Sequence, residues 1–420
     1  MGSKKVNDKE RPNYELGIVI LLGLLFGTVT LNRLAIVYLL PYIIAEFKIS
    51  YAQAGALTSV LSITFAVSTW VFAGVSDRIG RKIVLIPATI FFSIMSWLSG
   101  VTYSFLQMFF ARGLMGICQG PLLPASVATI SAESTPSRRG FNFGLHAALS
   151  PLVAFGVGVI IVTQLAKIMS WRVVFFSMGV PVVIIGIILY FYMREPEPNI
   201  MTTEDEVSNT TEEKPGFFAP LKYRNVVISS IVNFLAMCSL FVFVTFSILY
   251  FTEELNLSVS QAGIMVSFLG FGGLPGCMLL PLLSDHAGRK PVLIFSCFVL
   301  GLCFLGLMVT DSNLFLVATL VAVAGFALGG VAPLAVSVIT TESVPPSLAA
   351  TSSGIPVSVG EILGAGLMPF LAGYLSDVYG LRGALLFAGI AALIAGFVGL
   401  LYKETAPRIL NKRARLSSEY

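Results

Sequence analysis

The chain has 420 residues, of which 56% are apolar and only 11% charged, and its mean hydropathy is +0.88. A soluble domain carries roughly 25% charged residues, so this chain cannot cover a water-facing surface with charge and most of its surface must meet lipid. Its net charge of +4 comes from basic residues scattered through short loops, which excludes a nucleic-acid binder, and its five cysteines lie inside apolar runs and imply no disulfide framework.

A bilayer core about 30 Å thick needs about 20 apolar residues of helix to cross it. Runs of that kind fall at 16–45, 52–75, 83–101, 105–130, 141–162, 173–193, 226–251, 262–283, 291–310, 314–340, 352–375 and 383–402. The first is too long for the apolar core of a cleaved signal and reads as a spanning helix. With the N-terminus placed inside the cell, twenty of the 26 Lys and Arg fall in inner segments, four in outer loops (Lys48, Lys167, Arg172 and Arg382) and two within spans. That asymmetry predicts cytoplasmic termini in a plasma membrane. The stretch between Arg194 and Arg224 is polar and punctuated by proline, and reads as a tether. The predicted organisation is an all-α membrane protein with a cytoplasmic tail at 1–15, a six-helix bundle at 16–194, a linker at 195–225, a second six-helix bundle at 226–403 and a tail at 404–420.

The two bundles repeat one another. Shifted by 208 residues, Glu46–Ile86 overlays Glu254–Ile294 without a gap, with fifteen of forty-one positions identical, among them Ser50, Gln53, Gly55, Asp77, Gly80, Arg81 and Lys82. A shift of 209 pairs Gly116, Gly120, Pro124 and Glu133 with Gly325, Gly329, Pro333 and Glu342. Parallel repeats suit a transporter whose halves rock about a central site.

The stretch Gly74-Val-Ser-Asp77-Arg78-Ile-Gly80-Arg81-Lys82 resembles the signature loop of the major facilitator superfamily, and Ser284-Asp285-His286-Ala-Gly288-Arg289-Lys290 is similar to its degenerate second copy. The resemblance implies a monomeric carrier of twelve transmembrane helices in two pseudo-symmetric bundles, working by alternating access. In such carriers Asp77 meets the positive N-terminus of helix 11. Gly74 permits close helix contact and Gly80 a tight turn. Glu133 is in position to pair with Arg81. These residues, with Arg78, Lys82, Asp285, Gly288, Arg289 and Lys290, are expected to gate the inner face; the alternative is that the cations only set topology.

Charges inside the membrane are costly, by roughly 2.5–3.5 kcal/mol on insertion scales, and are functional candidates by default. Four spans hold such groups: Arg33, Arg112, His146 and Glu361. Arg33 lies near or just outside the midplane and should face the central cavity, where its planar fork suits a carboxylate; the alternative is a structural bond. Arg112 and Gln119, two turns apart, share one helix face; Arg112 divides between a structural and a site role. Glu361 reads as a proton carrier or as part of a gate, and His146 as a proton relay or as packing.

Asn32-Arg33-Leu-Ala-Ile-Val-Tyr-Leu-Leu-Pro41, followed by Glu46-Phe47-x-x-Ser50-x-x-Gln53-x-Gly55, is similar to the anion:cation symporter branch of that superfamily. Its members usually read Asp-Arg in helix 1 and place a Glu two turns after the helix-4 Arg. Here both acids are amides, Asn32 and Gln119, while both arginines remain, which makes the site more positive and favours an anionic substrate. The expected activity is proton-coupled uptake of a small organic carboxylate: Arg33 binds the anion, Asn32 and Gln119 orient it, Arg112 sets the potential, and Glu361, with His146, couples protons. The rivals are a drug-efflux antiporter, for which Leu149-Ser150-Pro151-Leu-Val-Ala-Phe-Gly156 is a poor match to the usual helix-5 motif, and a non-transporting sensor or facilitative uniporter. Two distant histidines and no metal-spaced cysteines imply no metal; no phosphate-cradling loop or cofactor site is present in the sequence, so an enzyme is not expected.

Overall fold

The computed structural model describes residues 11–135, 138–194, 219–310, 313–345 and 348–410, apart from the side chains of 11, 12, 73–78, 140 and 350. Among the described residues there are twelve membrane-spanning helices and no strand. They are α1 (Asn13–Tyr38), α2 (Tyr51–Phe72), α3 (Arg81–Gly100), α4 (Phe105–Glu133), α5 (Phe141–Ile168), α6 (Trp171–Tyr192), α7 (Arg224–Glu253), α8 (Val259–Ala287), α9 (Arg289–Leu307), α10 (Leu314–Glu342), α11 (Thr351–Tyr379) and α12 (Leu381–Gly399). Odd-numbered helices run from the face that bears the start of α1, here the terminal face, to the opposite, distal face. The outer walls present lipid-facing side chains such as Trp70, Phe191, Phe295 and Phe315.

One boundary departs from the sequence expectation. The apolar run 16–45 is not one helix: it breaks at Leu39, and a separate short helix covers Leu40–Phe47. Pro41 sits in the first turn of that second helix, where its missing N–H costs nothing, and it disfavours helical geometry at the residue before it. Hydropathy continues through the break, so composition alone joins the two. The break also moves Arg33. It lies twenty residues into α1 and five from its end, in the distal third of the span.

The repeat is visible in the backbone itself. Gly80 and Gly288, which stand 208 residues apart, have φ of +106° and +102°, where a side chain would be strained. Lys48 and Asn256, also 208 apart, are the left-handed non-glycine residues among those described. Ser50 and Gln53 close the N-terminus of α2 by reciprocal bonds, as Ser258 and Gln261 do for α8. π-helical turns begin at equivalent positions, Leu152 in α5 and Gly360 in α11.

The halves meet along two seams near the distal face, α2 against α11 and α5 against α8. Small residues make the seams close. A Cβ on Gly55 would collide with the carbonyl of Pro369, one on Gly373 with the carbonyl of Tyr51, one on Gly263 with Thr163 and one on Gly270 with Gly156. Burial along the central helices shows the result. Residues 31–40 of the first half and 241–251 of the second are buried on every side, whereas α1 and α7 keep accessible faces nearer the terminal face, as at Thr28, Thr30, Phe234 and Met237. The distal side is therefore sealed. The terminal side holds a cavity between the halves, where Gly144 and Gly354 have no atom within 4 Å of where a Cβ would sit.

Candidate functional site

Arg33 stands at the closed end of this cavity, where α1 passes from partly accessible to fully buried. Its side chain is 7% exposed. Nη2 donates to Ser62 Oγ of α2 at 2.8 Å and to Glu361 Oε2 of α11 at 3.1 Å. The rings of Phe65 (α2) and Phe241 (α7) lie 5.0 and 4.8 Å from its Cζ, so two aromatic faces flank the guanidinium. Its Nε is buried without a partner among the described residues. Four helices from both halves thus converge on one cation, and Arg33–Glu361 is an ion pair between the halves.

Glu361 reaches Arg33 because of the local backbone. It is the second residue of the π-helical turn Gly360–Leu367, which interrupts regular packing of α11. Gly360 and Gly364 bring that turn against α7: a Cβ on Gly360 would collide with Asn233 Nδ2, and one on Gly364 would come within 2.7 Å of Met237 Cβ. The glutamate side chain keeps 19% exposure, a path to water that Arg33 largely lacks.

Arg112 of α4 is fully buried. Its Nη2 donates to the carbonyl of Arg33 and its Nη1 to that of Asn32 at 3.4 Å, and its guanidinium lies 5.8 Å from the ring of Phe175. It has no carboxylate partner among the described residues. Arg112 therefore grips the backbone of α1 behind Arg33 rather than lining the cavity. Asn32, expected to orient substrate, has its side chain bonded within the first bundle. Both of its amide donors are taken, by the carbonyls of Thr28 at 3.0 Å and Met178 at 2.9 Å, and its Oδ1 accepts from Ser96 Oγ at 2.7 Å. It ties α1 to α3 and α6 inside the first bundle.

Gln119 is buried, with Oε1 unpartnered. His146 is also buried; it stacks on Phe26 at 5.5 Å, and its Nε2 has no partner among the described residues. Phe26 precedes Arg33 by seven residues, about 10 Å along the helix, so His146 sits nearer the terminal face and does not join the Arg33–Glu361 pair.

At the terminal face, Arg81 Nη1 donates to the carbonyl of Ala128 at 2.8 Å and Lys82 Nζ to that of Met193 at 2.7 Å. Glu133 ends α4 on the same face. The surroundings of Gly74 and the side chains of Asp77 and Arg78 lie outside what the structure describes. In the second half, Arg289 binds Asp285 at 2.5 Å, Glu342 at 3.0 Å and Ser284 Oγ at 2.7 Å. Lys290 Nζ donates to the carbonyl of Leu400, and Glu404 accepts from the N–H groups of Arg289 and Lys290, capping α9. A Cβ on Gly288 would sit 2.7 Å from that carboxylate. Each of these contacts stays within one half.

Sequence reasoning missed Ser62, Phe65 and Phe241; two aromatics among 32 Phe carry no signal. It also missed Glu15, a buried acid at the start of α1 that accepts from Asn142 Nδ2 at 2.6 Å and from Thr135. A lone acid opening an apolar run was the available sign. Among the described residues, no three His, Cys, Asp or Glu side chains gather as a metal site.

Twelve helices in two like halves, sealed at one face around a buried charge pair, define a membrane transporter. Residues 21–361 match the sequence model of the Major Facilitator Superfamily, and the chain belongs to that superfamily. It is 28% identical over 337 residues to a probable 4-methylmuconolactone transporter of Cupriavidus pinatubonensis, covering 77% of this chain and 75% of that one. It is 29% identical over 313 residues to the hexuronate transporter of Bacillus subtilis, covering 72% and 73%. In fold it is similar to a bacterial homologue of the human lysosomal transporter Spinster, with a TM-score of 0.77, 19% identity and coverage of 95% and 98%. The chain is a multi-pass transporter and not an enzyme.

Proposed function

We propose that this chain is a secondary active carrier that takes up a small organic carboxylate together with a proton, by alternating access, with its terminal face in the cytoplasm. The observation that carries the reading is the half-used fork of Arg33. Its contact with Glu361 runs through Nη2 alone, while Nε stays buried and unpaired. A substrate carboxylate has two oxygens, and a fork that offers two parallel N–H groups binds it better than it binds a one-point partner.

Charge counting supports the same reading. Two guanidiniums, Arg33 and Arg112, stand near one carboxylate among the described residues. With Glu361 ionised and the site empty, Arg33 is neutralised from the other half. When Glu361 takes a proton, that partner is lost and an anion restores the balance. Proton plus anion, or neither, are the two states that leave no extra buried charge, and buried unpaired charge is what blocks passage through a closed intermediate. This ties the two fluxes together. Arg112 holds the α1 backbone that presents Arg33, Phe65 and Phe241 fix its plane, and Gln119 and His146 are buried nearer the terminal face. The cations at the terminal face mark the cytoplasmic side. The hexuronate named for one relative is an anion of the proposed kind.

The test is uptake of labelled carboxylates, sugar acids included, into proteoliposomes with an imposed pH gradient, acid outside. Accumulation is expected in the parent protein, with loss in Arg33→Ala. Accumulation that survives Arg33→Ala, or that proceeds equally without the gradient, contradicts the proposal.

A further inference from the structure

The sequence Ser-Asp-x-x-Gly occurs at Ser76-Asp77-x-x-Gly80, at Ser284-Asp285-x-x-Gly288 and again at Ser376-Asp377-x-x-Gly380. The three glycines are the three with positive φ among the described residues, at +106°, +102° and +77°. The module is a helix ending: Gly288 and Gly380 N–H groups return to the carbonyls of Ser284 and Ser376, and the aspartate sits one turn before the stop. The first two copies close α2 and α8 at the terminal face. The third closes α11 at the distal face and has no counterpart in the repeat, because Met169 stands 208 residues before Asp377.

Asp377 makes a contact between the halves. Its Oδ1 accepts from the backbone N–H of Tyr51 at 2.8 Å and its Oδ2 from that of Ala52 at 3.0 Å. These are first-turn donors of α2, which have no partner within their own helix and carry the positive end of its dipole. Tyr51 adds a second tie, its hydroxyl donating to Glu253 Oε2 of α7 at 2.5 Å. The backbones touch at the same place, through Gly373 against Tyr51 and Gly55 against Pro369. Among the described residues the other seam has no equivalent: α5 and α8 are joined near the distal face by Gln164 Nε2 to Ser260 Oγ, a bond between neutral groups.

We propose that Asp377 is a positioning residue for the transport cycle, an anionic latch that holds the distal face shut by capping the N-terminus of α2 from across the molecule. α2 and α11 are antiparallel, and each carries a Ser-Asp-x-x-Gly ending. The two endings lie at opposite faces. The distal ending is engaged in the conformation described here, so breaking it shifts the carrier toward the state with an open distal face. The proposal depends on alternating access and on neither the substrate nor its coupling.

The test uses the full chain with its five native cysteines replaced and spin labels placed in pairs: positions 103 and 309 across the distal face, and positions 138 and 286 across the terminal face. Distances are measured by pulsed electron paramagnetic resonance in Asp377→Ala, in Asp377→Asn and in the parent. Removing the carboxylate is expected to shift the ratio of closed to open distal face roughly tenfold, about 1.4 kcal/mol, with the terminal pair moving closer in the same molecules. Asp377→Asn, which keeps an acceptor without the charge, should fall between. Tyr51→Phe provides a milder variant in the same direction if the alanine protein does not fold. Unchanged distal distances in the variants, or broadening of both pairs without the opposed shift, overturn the latch, whatever the carrier transports.

Discussion

Replacing Glu361 with glutamine removes the acid that competes with the proposed substrate for Arg33 while keeping the side chain's shape. In the parent, an ionised carboxylate holds Nη2 at 3.1 Å with little exposure on either side. Glutamine can still accept a bond there, but a neutral one, and charge-assisted bonds are roughly twice as strong as neutral ones. With a hydrogen bond to a charged group contributing about 1.5–3 kcal/mol and a neutral one about 1, the competitor weakens by about 0.5–2 kcal/mol. Carboxylate affinity should therefore rise roughly 2- to 30-fold. Binding of a carboxylate to purified protein in nanodiscs, by titration calorimetry, reads the effect. Unchanged or weaker binding in Glu361→Gln refutes the idea that Glu361 and the substrate share one cation.

Arg112→Lys replaces a two-donor grip on the carbonyls of Asn32 and Arg33 with a single point; transport KM should rise roughly tenfold, about 1.4 kcal/mol, with the protein still folded, and an unchanged KM denies Arg112 a positioning role. Gly55→Val places bulk against the carbonyl of Pro369 and should arrest transport while the distance between labels introduced at positions 103 and 309 grows; full transport means the α2–α11 seam does not close during the cycle. Glu46 binds Arg172 Nη1 at 2.7 Å and accepts from Trp171 Nε1, and the guanidinium holds its carboxyl below the usual carboxylate range. A folded-state pKa below the unfolded one contributes stability above the unfolded value, lost as pH falls through the folded one. Melting temperature should thus decline on acidification below about pH 4, and Glu46→Gln should flatten part of that limb; the group is half exposed, so the effect stays under about 1 kcal/mol.

The architecture was legible because lipid imposes strong rules: long apolar runs, basic loops on one side and paired loop motifs recover the twelve spans. The break at Leu39 was not, because proline at a helix start leaves hydropathy unchanged. The rarity of charge in the membrane singled out Arg33 and Glu361 separately. Their pairing is invisible in the sequence, since they lie 328 residues apart in different halves. The bonding of Asn32 is hidden for a related reason. A polar residue in a span reads as a cavity residue until its partners are known, and Ser96 and two backbone carbonyls inside the first bundle satisfy it. The gating loop shows a further limit. Its basic residues follow from composition, but whether they bond within a half or across halves depends on the conformation. Here the second-half cluster of Asp285, Arg289 and Glu342 is closed on itself.

The proposed joint movement of an anion and a proton through one ion pair is read most directly by proton flux driven by substrate. Proteoliposomes holding no pH gradient are given an external carboxylate substrate, and external pH is followed with an impermeant dye. External alkalinisation is expected to follow substrate uptake in the parent protein and to disappear in Glu361→Gln even where substrate still exchanges. Substrate uptake with no proton movement in the parent, or proton movement that persists in Glu361→Gln, contradicts that joint movement.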